Sequence, residues 1–121
     1  MTDISKVAVY GLGNMGFPLA TRIAARFPVQ VFDLNEGMLA KAKAELGADA
    51  IADPQALSAT PVVVLCLPSP KASVAVLRQI GPHLPKDAVV VETSTVNPED
   101  VIACRDVLAP HGIRIIDASL M

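Results

Sequence analysis

The sequence has few aromatic residues and little net charge. Aromatic side chains make up 3% of the 121 residues, whereas hydrophobic side chains make up 52%. A core of this composition is packed mainly by Ala, Val, Leu and Ile, which is typical of parallel strands covered by helices on both faces. The formal net charge is −2, from 10 basic and 12 acidic residues. It provides no basic field for nucleic acid or an anionic membrane, so we expect neither as a partner.

Cysteines and long apolar runs are also scarce. Cys66 and Cys104 are the two cysteines, and neither a C-x-x-C motif nor a histidine pair accompanies them. We interpret them as buried, reduced thiols rather than as a disulfide or a metal site. The longest aliphatic run, Val62 to Leu67, is far shorter than the roughly 20 residues of a membrane-spanning helix. The N-terminus lacks the pattern of a signal peptide, so we expect a cytoplasmic protein.

The most informative stretch is a glycine triplet that follows a short apolar run. Val7–Tyr10 precedes Gly11-Leu-Gly-Asn-Met-Gly16, which has the spacing G-x-G-x-x-G. In a phosphate-binding turn Gly11 would permit a tight bend, Gly13 the close approach of a pyrophosphate, and Gly16 the packing of the next helix on the sheet. The first amides of that helix would face the anion. The stretch therefore predicts a dinucleotide-binding turn.

Strand and helix patterns alternate along the whole chain. The predicted strands cover about residues 6–10, 29–33, 48–52, 62–67, 88–92 and 113–117, and the helical segments cover about 15–26, 35–46, 53–58, 69–80 and 97–108. Right-handed crossovers would arrange them as an α/β, doubly wound parallel sheet, a Rossmann fold of about six strands. At this length residues 1–121 form one dinucleotide-binding domain. Its ligand is expected outside the carboxyl ends of the strands.

An acidic residue at the end of the second predicted strand indicates which dinucleotide binds. Asp33 lies 22 positions after Gly11, where a carboxylate can accept hydrogen bonds from the adenosine ribose. The alternative is a helix cap or a solvated loop acid. A 2′-phosphate at about 4 Å would be repelled by about 4 kcal/mol at an effective dielectric constant near 20. We therefore predict NAD in preference to NADP, unless Arg22 or Arg26 offsets the repulsion.

Two further segments follow predicted strands, where the nicotinamide half of a cofactor would extend. Leu67-Pro-Ser-Pro70 follows one strand and Thr93-Ser-Thr95 follows another. Their hydroxyls and amides can bind a ribose or a carboxamide. Alternatively, Ser69 is only a helix cap, and Ser94 and Thr95 are only turn residues. The sequence leaves both interpretations open.

Four blocks together resemble the β-hydroxyacid dehydrogenases, the family that includes 3-hydroxyisobutyrate, tartronate semialdehyde and 6-phosphogluconate oxidoreductases. The blocks are Gly11-Leu-Gly-Asn-Met-Gly-Phe-Pro-Leu-Ala20, Leu67-Pro68, Thr93-Ser-Thr-Val-Asn-Pro98 and Gly112-Ile-Arg-Ile-Ile-Asp-Ala118. The resemblance implies hydride exchange between a nicotinamide and a β-hydroxy acid, with a lysine as general acid or base. It also implies cofactor contacts from Gly11, Leu12, Gly13, Asn14, Met15, Gly16, Asp33, Leu34, Leu67, Pro68 and Thr95, and a substrate contact from Ser94.

The chain departs from the family pattern after the sixth predicted strand. The family commonly has Asp-Ala-Pro-Val-Ser-Gly-Gly where this chain reads Asp117-Ala-Ser-Leu-Met121. The substrate loop is absent, and no position matches the catalytic lysine. We therefore expect no catalytic residue here. The chain should be a truncated cofactor domain that is inactive alone and meets a small hydroxy acid only with a partner domain.

The apparent truncation has one physical consequence and leaves two alternatives. Apolar surface that a partner domain would cover should be exposed, which would favour self-association. The first alternative is a free-standing, non-catalytic dinucleotide-binding or sensing module. The second is a cleft for a methyl donor such as S-adenosylmethionine, which the third glycine of the motif disfavours.

Overall fold

The computed structural model describes residues 5–93 and 97–118, and all structural statements below concern these residues. They form six strands: Val7–Tyr10 (β1), Val29–Phe32 (β2), Asp49–Ala50 (β3), Val62–Leu65 (β4), Val89–Glu92 (β5) and Arg114–Asp117 (β6). Four α-helices accompany them: Gly16–Ala24 (α1), Glu36–Leu46 (α2), Pro70–Ile80 (α3) and Pro98–Leu108 (α4). Short 3₁₀ turns at Pro54–Leu57, Gly81–His83 and Ala109–His111 complete the alternation.

The six strands form one parallel sheet in the order β3-β2-β1-β4-β5-β6. In register, Val7 lies opposite Val29 on one side and opposite Val62 on the other. The chain thus builds the sheet outward from β1 in one direction and then returns to continue from β1 in the other. This confirms the predicted doubly wound Rossmann fold and places its switch in strand order beside β1.

The alternation of side chains along the strands supplies two hydrophobic layers. Val9, Val31 and Val64 belong to the cluster that also contains Ala20 of α1 and Ala42 of α2. The opposite face carries a second cluster, whose members include Ala8, Val63, Leu65 and Val90 of the sheet, Leu77 and Ile80 of α3, and Cys104 and Leu108 of α4. Because β1 and β4 are buried on both faces, their sequences are nearly continuous apolar runs.

Local signals fixed the helix ends largely as predicted. Asn35 Oδ1 accepts a hydrogen bond from the Met38 amide at 3.2 Å, and Gly47 ends α2 with φ of 65°. Ser69 Oγ accepts one from the Ala72 amide at 3.2 Å at the start of α3. A side-chain cap at the start and a left-handed glycine after the end are typical of helix boundaries.

Some predicted elements are shorter than expected. The strand predicted over residues 62–67 ends at Leu65, and the one predicted over 48–52 pairs only at Asp49–Ala50. The first helix, predicted over 15–26, spans Gly16–Ala24. In the two described ranges, no helix is long and apolar enough to cross a bilayer.

Candidate functional site

The three glycines after β1 have three different environments. Gly11 has φ of 97°, and a Cβ placed there would lie 2.2 Å from the carbonyl oxygen of Cys66. A Cβ on Gly16 would lie 1.7 Å from the carbonyl oxygen of Gly11. A Cβ on Gly13, by contrast, would meet nothing within 4 Å. The fold itself therefore requires glycine at positions 11 and 16, whereas position 13 faces open space.

That open space belongs to a cleft of about 940 Å³ at the carboxyl ends of β1, β2 and β4. Its volume lies within the range of small-molecule sites, about 300–1,000 Å³. The cleft brings together nine residues that were expected to bind a cofactor: Gly11, Gly13, Asn14, Met15, Gly16, Asp33, Leu34, Leu67 and Pro68. Positions far apart in the sequence thus converge at the switch in strand order.

Two backbone amides hold the carboxylate of Asp33 in place. Its Oδ2 accepts a hydrogen bond from the Leu12 amide at 2.7 Å, and its Oδ1 accepts one from the Asn35 amide at 2.8 Å. The carboxylate therefore joins the glycine turn to the end of β2. Each oxygen keeps a further lone pair, because a carboxylate offers about four acceptor positions.

Leu12 is placed differently from the other motif residues. Its side chain is fully buried and packs in the cluster beneath α1 and α2, so it does not line the cleft. Leu12 contributes to the site through its backbone amide, which donates a hydrogen bond to Asp33. The expected contact to a cofactor is thus possible only through its backbone.

Two expected site residues, Ser94 and Thr95, lie outside the described residues. Ser69, which the sequence allowed as a helix cap or as a ligand contact, is a helix cap in the structure. Lys71 of α3 is exposed and lies in a separate groove of about 310 Å³ beside Asp100, away from the glycine turn.

The structure adds residues to the site that the sequence did not identify. The cleft is also lined by Tyr10, Phe32, Cys66, Ala72, Val76 and Gln79. Thr93, which belongs to a segment that the sequence did indicate, lines it as well. The rings of Tyr10 and Phe32 pack at 5.5 Å between centroids, and burial raises the pKa of Tyr10 to about 12. Ala72, Val76 and Gln79 come from one face of α3, a face whose direction depends on how the helix packs.

Cys66 was expected to be buried, but it is half-buried and lines the cleft. Its Sγ lies 3.0 Å from Oγ1 of Thr93, whose hydroxyl donates to the carbonyl oxygen of Leu65 at 2.7 Å. Burial raises the pKa of the Cys66 thiol; the hydrogen bond with Thr93 offsets part of this rise, and the charge of the fully buried Glu92 adds to it. Cys66 therefore lines the cleft with a thiol that is less acidic than that of an ordinary cysteine.

A metal centre is not formed by the residues that the structure describes. Within 5–93 and 97–118, no group of three or more His, Cys, Asp or Glu side chains is arranged to hold a metal ion. The polar groups of the cleft are instead backbone amides, one carboxylate and a few hydroxyl or amide side chains. Such a set suits an organic ligand that carries phosphate and hydroxyl groups.

Comparisons with known proteins give matches over most of this chain. Residues 6–120 match the family described as the NAD binding domain of 6-phosphogluconate dehydrogenase. A glycerol-3-phosphate dehydrogenase [NAD(P)+] of Rhizobium etli is 36% identical over 101 residues, which cover 71% of this chain and 31% of that protein.

Solved structures share the same fold. The 3-hydroxyisobutyrate dehydrogenase of Mycobacterium tuberculosis, solved with L-serine, superposes with a TM-score of 0.88 at 24% identity, over 98% of this chain and 41% of that one. An imine reductase of Streptomyces aurantiacus gives 0.79 at 29% identity, over 93% and 40%. An imine reductase variant of Myxococcus stipitatus in complex with NAD+ gives 0.79 at 21% identity, over 93% and 39%. The chain thus spans about two fifths of the length of these structures.

Proposed function

The chain belongs to the family of NAD-binding domains of 6-phosphogluconate dehydrogenase, and from this premise we propose that its cleft holds NAD across the end of β1. The resemblance to the β-hydroxyacid dehydrogenases that the four sequence blocks indicated is confirmed by this match. In the proposed complex the pyrophosphate lies against the turn Gly11–Gly16, and the adenosine ribose lies at Asp33.

The observation that carries the proposal is the open space at Gly13. Glycine there is required neither by a positive φ nor by a neighbouring atom, since a Cβ would meet nothing within 4 Å. A side chain would, however, project into the cleft and hold a ligand away from the backbone amides. A glycine at this position is therefore explained by close approach of an anionic ligand to the start of α1.

The proposed preference for NAD over NADP rests on the fixed position of Asp33. Its carboxylate is oriented by the Leu12 and Asn35 amides at 2.7 and 2.8 Å and still offers lone pairs to ribose hydroxyls. A 2′-phosphate at that ribose would meet the same negative charge. Leu34, the next residue, is 91% exposed and carries no charge that would offset the repulsion.

The reaction is proposed for the whole protein to which such a domain contributes. Bound NAD supplies the hydride acceptor for oxidation of a small β-hydroxy acid. The residues of this chain bind and orient the dinucleotide, and no position in it matches the catalytic lysine of the family. Contacts from Thr95 to the nicotinamide end and from Ser94 to substrate stay predictions. So do self-association and a cytoplasmic location.

Ligand titration tests the proposed function directly. The protein is titrated with NADH, NADPH and S-adenosylmethionine, and each dissociation constant is measured by calorimetry. We expect saturable binding of NADH with one site per chain, weaker binding of NADPH, and no saturable binding of S-adenosylmethionine. Binding of S-adenosylmethionine but not of NADH would overturn the proposal, as would the absence of binding by either dinucleotide.

A further inference from the structure

One face of α3 forms a wall of the cleft that the pyrophosphate and ribose contacts do not use. Ala72, Val76 and Gln79 all line the cleft, and their spacing of four and three residues places them on one side of the helix. The helical rise of about 1.5 Å per residue spreads them over about 10 Å. The wall is thus two small apolar residues followed by a carboxamide.

The side of the cleft formed by the end of β2 is also apolar. Phe32 and Leu34 line it on either side of Asp33 in the chain. Leu34 is 91% exposed, so its side chain lies at the rim of the cleft rather than in a core. We call the part of the cleft lined by Phe32, Leu34, Ala72, Val76 and Gln79 the slot; most of its lining is apolar, and Asp33, the carboxylate proposed to hold the ribose, lines the same cleft. A flat heterocyclic base attached to that ribose suits such a slot.

Gln79 differs from the other residues of the slot because it carries both a donor and an acceptor. Among the described residues its carboxamide has no hydrogen-bond partner, and Gln79 is exposed at the cleft. A glutamine carboxamide can pair with adenine in a bidentate manner, since it accepts from the N6 amino group and donates to N7. An apolar residue would cover the slot equally well but would not distinguish one purine from another.

We propose that Gln79 is a specificity-determining residue that reads the edge of the adenine base. The proposal rests on the proposed function, because it places the dinucleotide in this cleft. On the same edge hypoxanthine has two acceptors, O6 and N7, so the carboxamide oxygen finds no donor there whichever way the amide is turned. The dinucleotide with hypoxanthine in place of adenine should therefore bind more weakly than NADH, although its phosphates, riboses and nicotinamide are the same.

The test compares the two reduced dinucleotides, nicotinamide adenine and nicotinamide hypoxanthine, by dissociation constant. The wild-type protein should prefer adenine by about 3- to 10-fold, the range expected for one neutral hydrogen bond. Gln79→Met keeps the length and apolar stem of the side chain and should reduce this preference to less than about twofold. Gln55→Met is the matched control, because Gln55 is also exposed but does not line the cleft. It should keep the wild-type ratio.

The outcomes separate this proposal from the one on which it rests. Equal binding of the two dinucleotides by the wild-type protein would overturn the role of Gln79 and leave NAD binding in place. A preference that persists in Gln79→Met would do the same, since another group would then read the base. If the wild-type protein bound neither dinucleotide, both proposals would be wrong. Circular dichroism of each variant shows whether the fold is retained.

Discussion

Replacement of Asp33 with alanine removes two effects of one carboxylate, and the structure allows each to be estimated. The first effect is on stability. Oδ2 of Asp33 accepts a hydrogen bond from the Leu12 amide at 2.7 Å, and this contact is partly buried. The hydrogen bond that Oδ1 accepts from the Asn35 amide is exposed. Without the carboxylate, water can bond to the Asn35 amide, but the Leu12 amide loses its acceptor. A buried donor left without a partner costs about 1–3 kcal/mol.

The second effect is on the choice of cofactor. A unit charge on the 2′-phosphate of NADP, about 4 Å from the carboxylate, would be repelled by about 4 kcal/mol at an effective dielectric constant near 20. One third of that repulsion, about 1.4 kcal/mol, already corresponds to a tenfold ratio of affinities. In Asp33→Ala we therefore expect the ratio of the NADPH and NADH dissociation constants to fall by about tenfold or more.

Two measurements on the same samples separate these effects. Urea unfolding followed by circular dichroism gives the change in free energy of unfolding, which should be about 2 kcal/mol. Fluorescence titration with NADH and NADPH gives the affinity ratio, and added salt should lower the wild-type ratio by screening the repulsion. Asp53→Ala is the matched control, because Asp53 Oδ1 also accepts a hydrogen bond from the amide two residues later, that of Gln55, at 2.9 Å. Asp53 does not line the cleft.

The control should lose about 1 kcal/mol of stability, as is usual for a side-chain cap, and keep the wild-type affinity ratio. An unchanged affinity ratio in Asp33→Ala would refute the electrostatic explanation of cofactor choice, even if the protein were destabilised. An unchanged free energy of unfolding would show that the bond to the Leu12 amide contributes no net stability.

Two further predictions concern the turn and the thiol beside it. Gly13→Ala should change the free energy of unfolding by less than about 1 kcal/mol and weaken NADH binding by about tenfold or more. Gly11→Ala should lose more than about 3 kcal/mol, because Gly11 has φ of 97° and the new Cβ would lie 2.2 Å from the carbonyl oxygen of Cys66. Similar unfolding curves for the two variants would contradict this. Because burial raises the pKa of the Cys66 thiol, its thiolate fraction at neutral pH is lower than that of an ordinary cysteine, whose pKa is about 8.5. In a Cys104→Ala background, iodoacetamide should therefore modify Cys66 more slowly than it modifies a cysteine peptide at pH 8. The rate of modification should increase as the pH rises further, and NADH should decrease it. A rate higher than that of the peptide would contradict the prediction.

The order of the elements was predictable because its signals are local. The apolar run from Val62 and the caps at Asn35 and Ser69 depend on neighbours in the sequence, and the structure contains the strand and both caps. The end of β4 was not predictable from the run itself. The Cys66 amide still donates to the Tyr10 carbonyl oxygen at 2.8 Å, and the Cys66 carbonyl oxygen lies so close to Gly11 that a Cβ there would clash with it. The end of β4 therefore depends on the glycine turn beside it.

The same distinction applies to the site. The glycine turn was found because its residues are consecutive and each spacing has a physical reason. The wall formed by Ala72, Val76 and Gln79 was missed, because its direction depends on where α3 lies relative to β2. The buried face of α3 is a different one and contains Leu77 and Ile80. The spacing of Ala72, Val76 and Gln79, four residues and then three, was the one sequence signal that these positions share a face of α3.

The double attachment of Asp33 also limits how this protein can evolve or be engineered. A change to NADP must remove the charge at position 33 while an acceptor is kept for the Leu12 amide, which an asparagine can provide and an alanine cannot. The next position is free of such a constraint, because Leu34 is 91% exposed and an arginine there would displace no core contact. Adjacent residues thus differ in mutational tolerance: one is tied to the fold, whereas the other can be changed with little effect on stability.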